Sequence, residues 1–204
     1  MSLAQQFDYK DVKLDNAKYD FWHYPNAIPK ETCDEIIRFA EGQWQEAGVG
    51  GENITGRNVR KEIRDSKVCW SRCPNLYDMV WSYVNNANEQ AMWKFQLDCA
   101  QAMQITKYEE GGFYEFHKDG NGFTRDVASK ESESYNKTRK LSMTVVLNED
   151  YEGGEFEFFE DNQLIKEKRG TVIVFPSYIL HRVRPVTKGI RYSLVVWFCG
   201  EPFI

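Results

Sequence analysis

The sequence has few histidines, an odd number of cysteines and no excess of positive charge. It contains 26 lysines and arginines against 31 acidic residues, a formal net charge of -5 over 204 residues. This balance lacks the positive field that neutralises nucleic-acid phosphates, so we do not expect a nucleic-acid partner. The five cysteines have no Cys-x-x-Cys spacing, which argues against a disulfide framework and against a zinc-thiolate site. Only three histidines, His23, His117 and His181, are available for metal chemistry.

Long apolar runs are also absent. No stretch approaches the roughly 20 apolar residues that a helix needs to cross a bilayer. The N-terminal segment, MSLAQQFDYKDVKLD, carries acids where a signal peptide would have a basic and then an apolar run. We therefore expect a soluble, cytoplasmic protein with no membrane partner, and the sequence does not indicate an oligomeric state.

Two helices are predicted in the N-terminal part, residues 1–92. The first is expected to span about ten residues, starting at the capping-box pair Thr32 and Glu35, which an apolar face follows. The second begins near Pro74, which suits a first helical turn, and apolar residues then recur at three- and four-residue steps as far as Ala87.

The remaining chain, residues 93–204, has the two-residue and continuous apolar periods of β-strands. The predicted strands are 93–97, 103–108, 141–147, 156–158, 171–175 and 192–198. Turn residues separate them at intervals typical of antiparallel strands, and short strands at this density indicate a sandwich, a jelly roll or a barrel. We expect one α+β domain over residues 1–204, with the N-terminal helices packed on a mainly antiparallel sheet.

Two segments interrupt this pattern. Residues 48–56 are glycine-rich, and residues 120–138 are polar, charged and rich in serine. A loop of the second length inside a compact domain is usually functional or disordered. Because it directly follows the first candidate site, residues 120–138 are predicted to act as a lid, and both segments are expected to influence substrate choice.

The first candidate site is His117-Lys118-Asp119. Residues two apart in an extended strand point to the same face, so His117 and Asp119 can reach one ion. A single such pair is weak support because acids are common in this chain, but His181 follows a later strand and turn and can complete the set. Two histidines and one carboxylate leave coordination positions open, as in non-haem Fe(II) oxygenases. Arg191 could bind a dicarboxylate through paired charge-assisted bonds.

A joint pattern extends over about residues 100 to 200. It consists of Tyr108-x-x-Gly111-x-x-Tyr114-x-x-His117-x-Asp119, Gly153-Gly154-Glu155, Phe175-Pro176, His181-x-Val183 with Pro185, and Arg191-Tyr192-Ser193 with Trp197. Each piece alone is common, but together they are specific. The pattern resembles the Fe(II)/2-oxoglutarate-dependent oxygenases and, within them, the prolyl 4-hydroxylase-like branch.

The resemblance implies a mainly antiparallel double-stranded β-helix (jelly roll) and a role for three groups of residues. The implied iron ligands, which are also the catalytic residues, are His117, Asp119 and His181. The implied contacts of 2-oxoglutarate are Arg191, Tyr108, Ser193 and Val183. The implied substrate pocket consists of Tyr114, Arg139 and Trp197. The sequence departs from the pattern at Val146, where some family members have a tyrosine that also touches 2-oxoglutarate.

The activity implied by the resemblance is a dioxygenase with Fe(II) and 2-oxoglutarate. It would hydroxylate a peptidyl residue, proline first among them, release succinate and carbon dioxide, and use ascorbate as reductant. Its expected partners are dioxygen and a peptide or protein substrate. Three alternatives stay open: a 2-oxoglutarate oxygenase acting on a small molecule or a nucleobase, a cupin-like module that binds a metal or ligand without catalysis, and a regulatory protein that keeps only the fold.

Overall fold

The computed structural model describes residues 19–49, 59–125, 130–159, 163–165 and 168–203. Within these ranges the helices are α1 (Lys30–Ala40) and α2 (Pro74–Gln90). The strands before the first candidate site are β1 (Trp22–Tyr24), β2 (Gln45–Glu46), β3 (Arg64–Asp65), β4 (Lys67–Ser71), β5 (Cys99–Ala100), β6 (Met103–Tyr108) and β7 (Phe113–His117). The later strands are β8 (Thr138–Val146), β9 (Tyr151–Gly153), β10 (Phe156–Phe158), β11 (Gln163–Ile165), β12 (Val172–Pro176), β13 (His181–Val183), β14 (Val186–Gly189) and β15 (Arg191–Gly200).

The strands form two main antiparallel sheets. The larger has the order β1-β12-β8-β15-β6-β4-β2, with β5 paired to β15, and the smaller has the order β11-β10-β13-β7-β3. A separate pair joins β14 to β9. The expected α+β class with mainly antiparallel sheets is therefore confirmed. None of the helices in the described ranges is long and apolar enough to cross a membrane.

The larger sheet is buried on both faces, and this explains the continuous apolar runs. In β8, Leu141, Met143 and Val145 belong to an apolar cluster that also contains residues of α1 and α2. Because side chains alternate along a strand, the residues between them, Ser142 and Thr144, face the other side. That side faces the smaller sheet. A second apolar cluster joins the two sheets, with aromatic residues of β12 from the larger sheet and of β10 from the smaller one.

The same alternation divides β15 between core and cavity. Leu194, Val196 and Phe198 are buried in the cluster that includes the helices. The intervening residues line a cavity between the sheets, and they are Arg191, Ser193, Val195 and Trp197. In β15, one set of alternating side chains therefore packs in the core, and the other set faces the cavity.

Three details differ from the sequence-based expectations. Residues 93–97 form no strand: Met92 and Lys94 have positive φ values of 59° and 51°, which interrupt an extended backbone although the apolar side chains still alternate. Helix α1 begins at Lys30 after the N-cap Pro29, so Thr32 lies inside the helix and forms no capping box. The N-terminal part also contributes strands, of which β4 pairs with β6; its run of five residues is too short for a periodic signal.

Candidate active site

The three proposed metal ligands lie together at the ends of two paired strands. His117 on β7 is the direct cross-strand partner of His181 on β13. Asp119 follows two residues after His117, and its carboxylate oxygens lie 3.7 Å from His117 Nε2 and 3.6 Å from His181 Nε2. One ligand atom from each residue lies within 4.8 Å of the others. The pairing of β7 with β13 thus brings together residues that are 64 positions apart in sequence.

Backbone carbonyl groups orient the two histidine ligands. His117 Nδ1 lies 2.8 Å from the carbonyl oxygen of Glu115, and His181 Nδ1 lies 2.9 Å from that of Ile179. Because a carbonyl only accepts hydrogen bonds, each Nδ1 must donate, which leaves the Nε2 lone pair free for a metal. Such partners fix the ring orientation of metal-binding histidines. The donor set therefore fits a metal such as Fe(II) with open coordination positions.

The protonation of the cluster also suits metal binding. Burial lowers the pKa of His117 to about 3, so the imidazole is neutral at neutral pH. Burial raises the pKa of Asp119, but His181, His117, Arg139 and a hydrogen bond from Ser142 outweigh burial and lower it. Neutral imidazole and ionised carboxylate are the forms that bind a metal.

A buried arginine lies in the same cavity. Arg191 is 2% exposed, and its Nη1 donates a hydrogen bond to Ser193 Oγ at 3.2 Å. Its guanidinium lies 5.5 Å from the ring centre of Tyr108, its cross-strand partner. In the described part of the chain no carboxylate lies at ion-pair distance from Arg191, and its Nε has no hydrogen-bond partner. A buried cation without a counter-ion is costly, so this position fits an anionic ligand such as a dicarboxylate.

Gly154 allows the Arg191 side chain to occupy its position. Its φ is +66°, and a Cβ added there would lie 2.9 Å from Arg191 Cδ and 3.0 Å from Val186 Cγ2. This gives the Gly153-Gly154 motif a physical meaning: the second glycine leaves room for the arginine stem. Val183, on β13, also lines the cavity.

We predict that Gly154→Ala weakens 2-oxoglutarate binding because the added methyl group displaces Arg191 from its buried position. A shift of this kind should raise the dissociation constant by about tenfold or more, since about 1.4 kcal/mol of lost binding energy is tenfold. Isothermal titration of 2-oxoglutarate against the Mn(II)-loaded protein measures this. Metal affinity should stay within a factor of three of the wild-type value, and equal 2-oxoglutarate affinity in both proteins would contradict the prediction.

The third group of predicted residues surrounds the metal cluster. The Tyr114 ring stacks on the His117 ring with a centroid distance of 3.5 Å and an interplanar angle of 17°. Burial raises the pKa of Tyr114 to about 12, so its hydroxyl is neutral. Arg139 lies 3.9 Å above the ring centre of Trp197 and donates from Nη1 to the backbone oxygen of Asp119 at 3.2 Å. All three line the same cavity of about 540 Å³.

The cavity also contains residues that the sequence did not single out. Arg64 is buried beside Tyr114, its cross-strand partner on β7, and Gln104 accepts a hydrogen bond from its Nη2 at 2.6 Å. Trp70 lines the cavity while remaining 44% exposed, and its ring centre lies 6.2 Å from that of Trp197. No local motif marks these residues. Only the pairing of β3 with β7 and of β4 with β6 brings them to the site.

The two loops are described in part. Gly48 and Val49 line the cavity, whereas residues 50–58 lie outside the described ranges. In the second loop, Arg125 donates to Asn136 O at 2.5 Å and pairs with Glu201 at 3.3 Å. Residues 126–129 lie outside the described ranges. The lid function of residues 120–138 stays a prediction.

Comparison with known proteins agrees with this geometry. The sequence model of the 2OG-Fe(II) oxygenase superfamily matches residues 103–199, which include every predicted site residue. The chain is 38% identical over 183 residues to a PKHD-type hydroxylase of Synechococcus sp. (strain CC9311), covering 83% of this chain and 74% of that protein. With PKHD-type hydroxylases of two other Synechococcus strains the match is shorter, 97 residues and 40% of the relative's length.

Two solved structures share the fold. One is the viral collagen prolyl hydroxylase of Paramecium Bursaria Chlorella virus-1 in its 2OG complex, with a TM-score of 0.66 and 19% identity over 89% of this chain and 96% of that one. The other is a Trichoplax adhaerens prolyl hydroxylase in complex with a hypoxia inducible factor peptide fragment, with a TM-score of 0.61 and 16% identity. It covers 97% of this chain and 93% of that chain. At these identities the likeness concerns the fold alone.

Proposed function

The chain is an enzyme of the 2OG-Fe(II) oxygenase superfamily and belongs to its prolyl 4-hydroxylase-like branch, and we propose that it hydroxylates a peptidyl residue, with proline as the first candidate. The observation that carries this proposal is one cavity that contains both the cluster of His117, Asp119 and His181 and the buried Arg191, which forms no ion pair with any described residue. A metal-binding module would need only the cluster. An oxygenase of this superfamily also needs a cation for its dicarboxylate co-substrate.

The proposal assigns each part of the site a task. When bound, Fe(II) and 2-oxoglutarate supply the chemistry that oxidises a C–H bond with dioxygen, while the protein supplies position and charge. His117, Asp119 and His181 would hold the metal on one side and leave its other positions free. Arg191 and Ser193 would bind the distal carboxylate, with the Tyr108 hydroxyl beside them.

Apolar walls complete the site. The cavity between Arg191 and the metal cluster is lined by Phe156, Phe175, Val183 and Val195. These side chains exclude water, which strengthens the charge–charge interactions within the cavity and protects reactive species from side reactions. Trp70 and Trp197 lie on the larger sheet and offer aromatic faces to a substrate.

The relatives support a peptide substrate. The structural neighbours include prolyl hydroxylases, one of them in complex with a peptide fragment. We further propose that residues 1–204 form one domain, that its two facing sheets form a double-stranded β-helix, and that ascorbate acts as reductant. Formation of succinate and carbon dioxide is part of the same proposal.

The proposed function predicts peptide-dependent turnover. The protein is incubated in air with Fe(II), ascorbate, labelled 2-oxoglutarate and proline-containing peptides, each matched by a peptide with alanine in place of proline. We expect labelled succinate and a peptide mass gain of one oxygen, both abolished by a chelator and by the alanine replacement. If the alanine peptides also gain one oxygen, the hydroxylated residue is not proline but another residue of the peptide. No succinate with any peptide would contradict the proposal.

A further inference from the structure

The cavity is positively charged although the protein is acidic. Its described lining includes five cationic residues, which are Arg60, Arg64, Lys118, Arg139 and Arg191, against two carboxylates, Glu46 and Asp119. The whole chain carries a net charge of -5. A cleft that reverses the sign of its protein raises the local concentration of ligands with the opposite charge.

Arg64 is the deepest of these cations apart from Arg191. It is 7% exposed, and its partners are neutral: Ser66 Oγ at 2.8 Å, Gln104 Oε1 at 2.6 Å and the Gly48 carbonyl at 3.4 Å. Its guanidinium lies 4.6 Å from the ring centre of Tyr114. Among the described residues no carboxylate lies at ion-pair distance from it. The Arg64 charge is therefore hydrogen-bonded but not neutralised.

Arg139 and Trp197 repeat this situation beside Asp119. Arg139 donates to the Gln101 amide oxygen at 2.8 Å and to the Asp119 carbonyl, and no carboxylate in the described ranges pairs with it. Trp197 is 6% exposed, and its Nε1 has no hydrogen-bond partner in the described part of the chain. Both residues add donors to the cavity without adding an acceptor.

Arg64 and Arg139 are not needed to balance the charge of the co-substrate. Fe(II), Asp119, 2-oxoglutarate and Arg191 have formal charges that cancel one another. The Arg64 guanidinium contacts the Tyr114 ring, which in turn stacks on the metal ligand His117. Arg139 donates a hydrogen bond to the backbone oxygen of Asp119. Both guanidinium groups thus lie next to residues of the metal cluster, and neither forms an ion pair with a carboxylate among the described residues.

We propose that Arg64 and Arg139 select a substrate with a carboxylate close to the carbon that is hydroxylated. This inference rests on the proposed function and narrows its substrate class to an acidic peptide segment or a peptide that ends at the target residue. A guanidinium fork binds a carboxylate through two parallel hydrogen bonds, and burial makes such a pair strong. We expect Arg64 to contribute more than Arg139 to carboxylate binding, because the guanidinium of Arg64 is more deeply buried.

The test compares three fluorescein-labelled heptapeptides with proline at the centre and Glu, Gln or Lys on both sides. All have amidated C-termini, and a fourth, neutral peptide ends in proline with a free carboxylate. Fluorescence anisotropy with the Fe(II)- and 2-oxoglutarate-loaded protein under argon gives the dissociation constants. We expect the carboxylate-bearing peptides to bind roughly 10- to 100-fold more tightly than the Gln peptide, the range for a hydrogen bond to a charged group. If the Glu peptide binds more tightly than the free-carboxylate peptide, the recognised carboxylate belongs to a neighbouring acidic side chain. The reverse order indicates the C-terminal carboxylate of the peptide.

Variants separate charge recognition from a structural role of Arg64. Arg64→Gln should reduce the Glu-to-Gln preference to about threefold or less, and Arg64→Lys should retain part of it, because lysine keeps the charge and loses the fork. Arg38→Gln, on the exposed face of α1, removes the same charge outside the cavity and should leave the preference unchanged. If Arg64→Gln weakens all peptides equally and the preference persists, Arg64 only supports Tyr114 and the proposal is wrong.

Two further outcomes would overturn the proposal. One is equal binding of the Glu, Gln and Lys peptides to the wild-type protein, including equal absence of binding, and the other is tightest binding of the Lys peptide. The proposed function has its own readout, because the charge-transfer absorbance of Fe(II) with 2-oxoglutarate needs no peptide. A protein that shows this absorbance but no acidic preference contradicts only the present inference.

Discussion

Replacing Asp119 with alanine should remove Fe(II) binding and, with it, all succinate formation. Among the described residues, Asp119 is the single carboxylate that lies beside both histidine rings, and its oxygens lie within 3.7 Å of both Nε2 atoms. Without it, two neutral imidazoles would face a divalent cation in a buried site with no charge to balance it. We expect the Fe(II) dissociation constant to rise by more than about 100-fold, beyond the usual cost of losing an outer-shell partner.

Competition with a chromogenic chelator under argon measures this change, and far-UV circular dichroism checks the fold. The fold should persist, because the substitution removes a buried carboxylate rather than an apolar side chain. The matched control is Asp78→Ala on the exposed face of α2, which should bind Fe(II) as the wild type does. If Asp119→Ala binds Fe(II) with unchanged affinity, the metal lies elsewhere and the cluster has another role.

Replacing Arg191 with methionine should strongly weaken 2-oxoglutarate binding while the protein still binds the metal. Methionine keeps the apolar stem in the space beside Gly154 but removes the guanidinium that donates to Ser193. Truncating one member of a buried charge pair costs about 2–5 kcal/mol, so the dissociation constant should rise by roughly 30-fold or more. The dissociation constant of Arg191→Lys should lie between those of the wild type and Arg191→Met, because lysine keeps the charge but lacks the two-pronged guanidinium.

Isothermal titration of 2-oxoglutarate against the Mn(II)-loaded proteins gives these constants. Without 2-oxoglutarate, Arg191→Met should also be at least as stable to unfolding as the wild type, since an apolar side chain replaces a buried cation that has no counter-ion. Unchanged 2-oxoglutarate affinity in Arg191→Met would contradict the assignment. It would mean that another group binds the distal carboxylate. A wild-type protein that binds the metal but not 2-oxoglutarate would favour the alternative of a cupin-like module.

The alternation of the sequence predicted the central strands well. In β8 from Leu141 onward, and in β15, one set of alternating residues is apolar and the other set includes serine, threonine or arginine. Both sets are buried, so the runs look continuous, and their length and turn residues still identify them as strands. The segment 93–97 shows the limit of this reasoning. Its side chains alternate, but positive φ values at Met92 and Lys94 are determined by packing and not by a local pattern.

The site could be predicted where its residues belong to a joint pattern along the sequence. His117, Asp119, His181 and Arg191 all lie in segments whose spacing is readable, and the structure places them around one cavity. Arg64 could not be found this way. It lies in the cavity only because β3 pairs with β7, which places Arg64 opposite Tyr114. Short strands far from the motif contribute to the cavity through sheet register, which leaves no periodic signal in the sequence.

One measurement tests the central claim most directly. The claim is that a single cavity binds Fe(II) through His117, Asp119 and His181 and 2-oxoglutarate through Arg191. Anaerobic titration of the Fe(II)-loaded protein with 2-oxoglutarate, followed by visible absorbance, detects the charge-transfer band that arises only when the metal and the co-substrate are in contact. We expect a saturable band in the wild type. At 2-oxoglutarate concentrations that just saturate the wild type, the band should be absent in Asp119→Ala and strongly reduced in Arg191→Met. A wild-type protein that binds both ligands without this band would contradict the account.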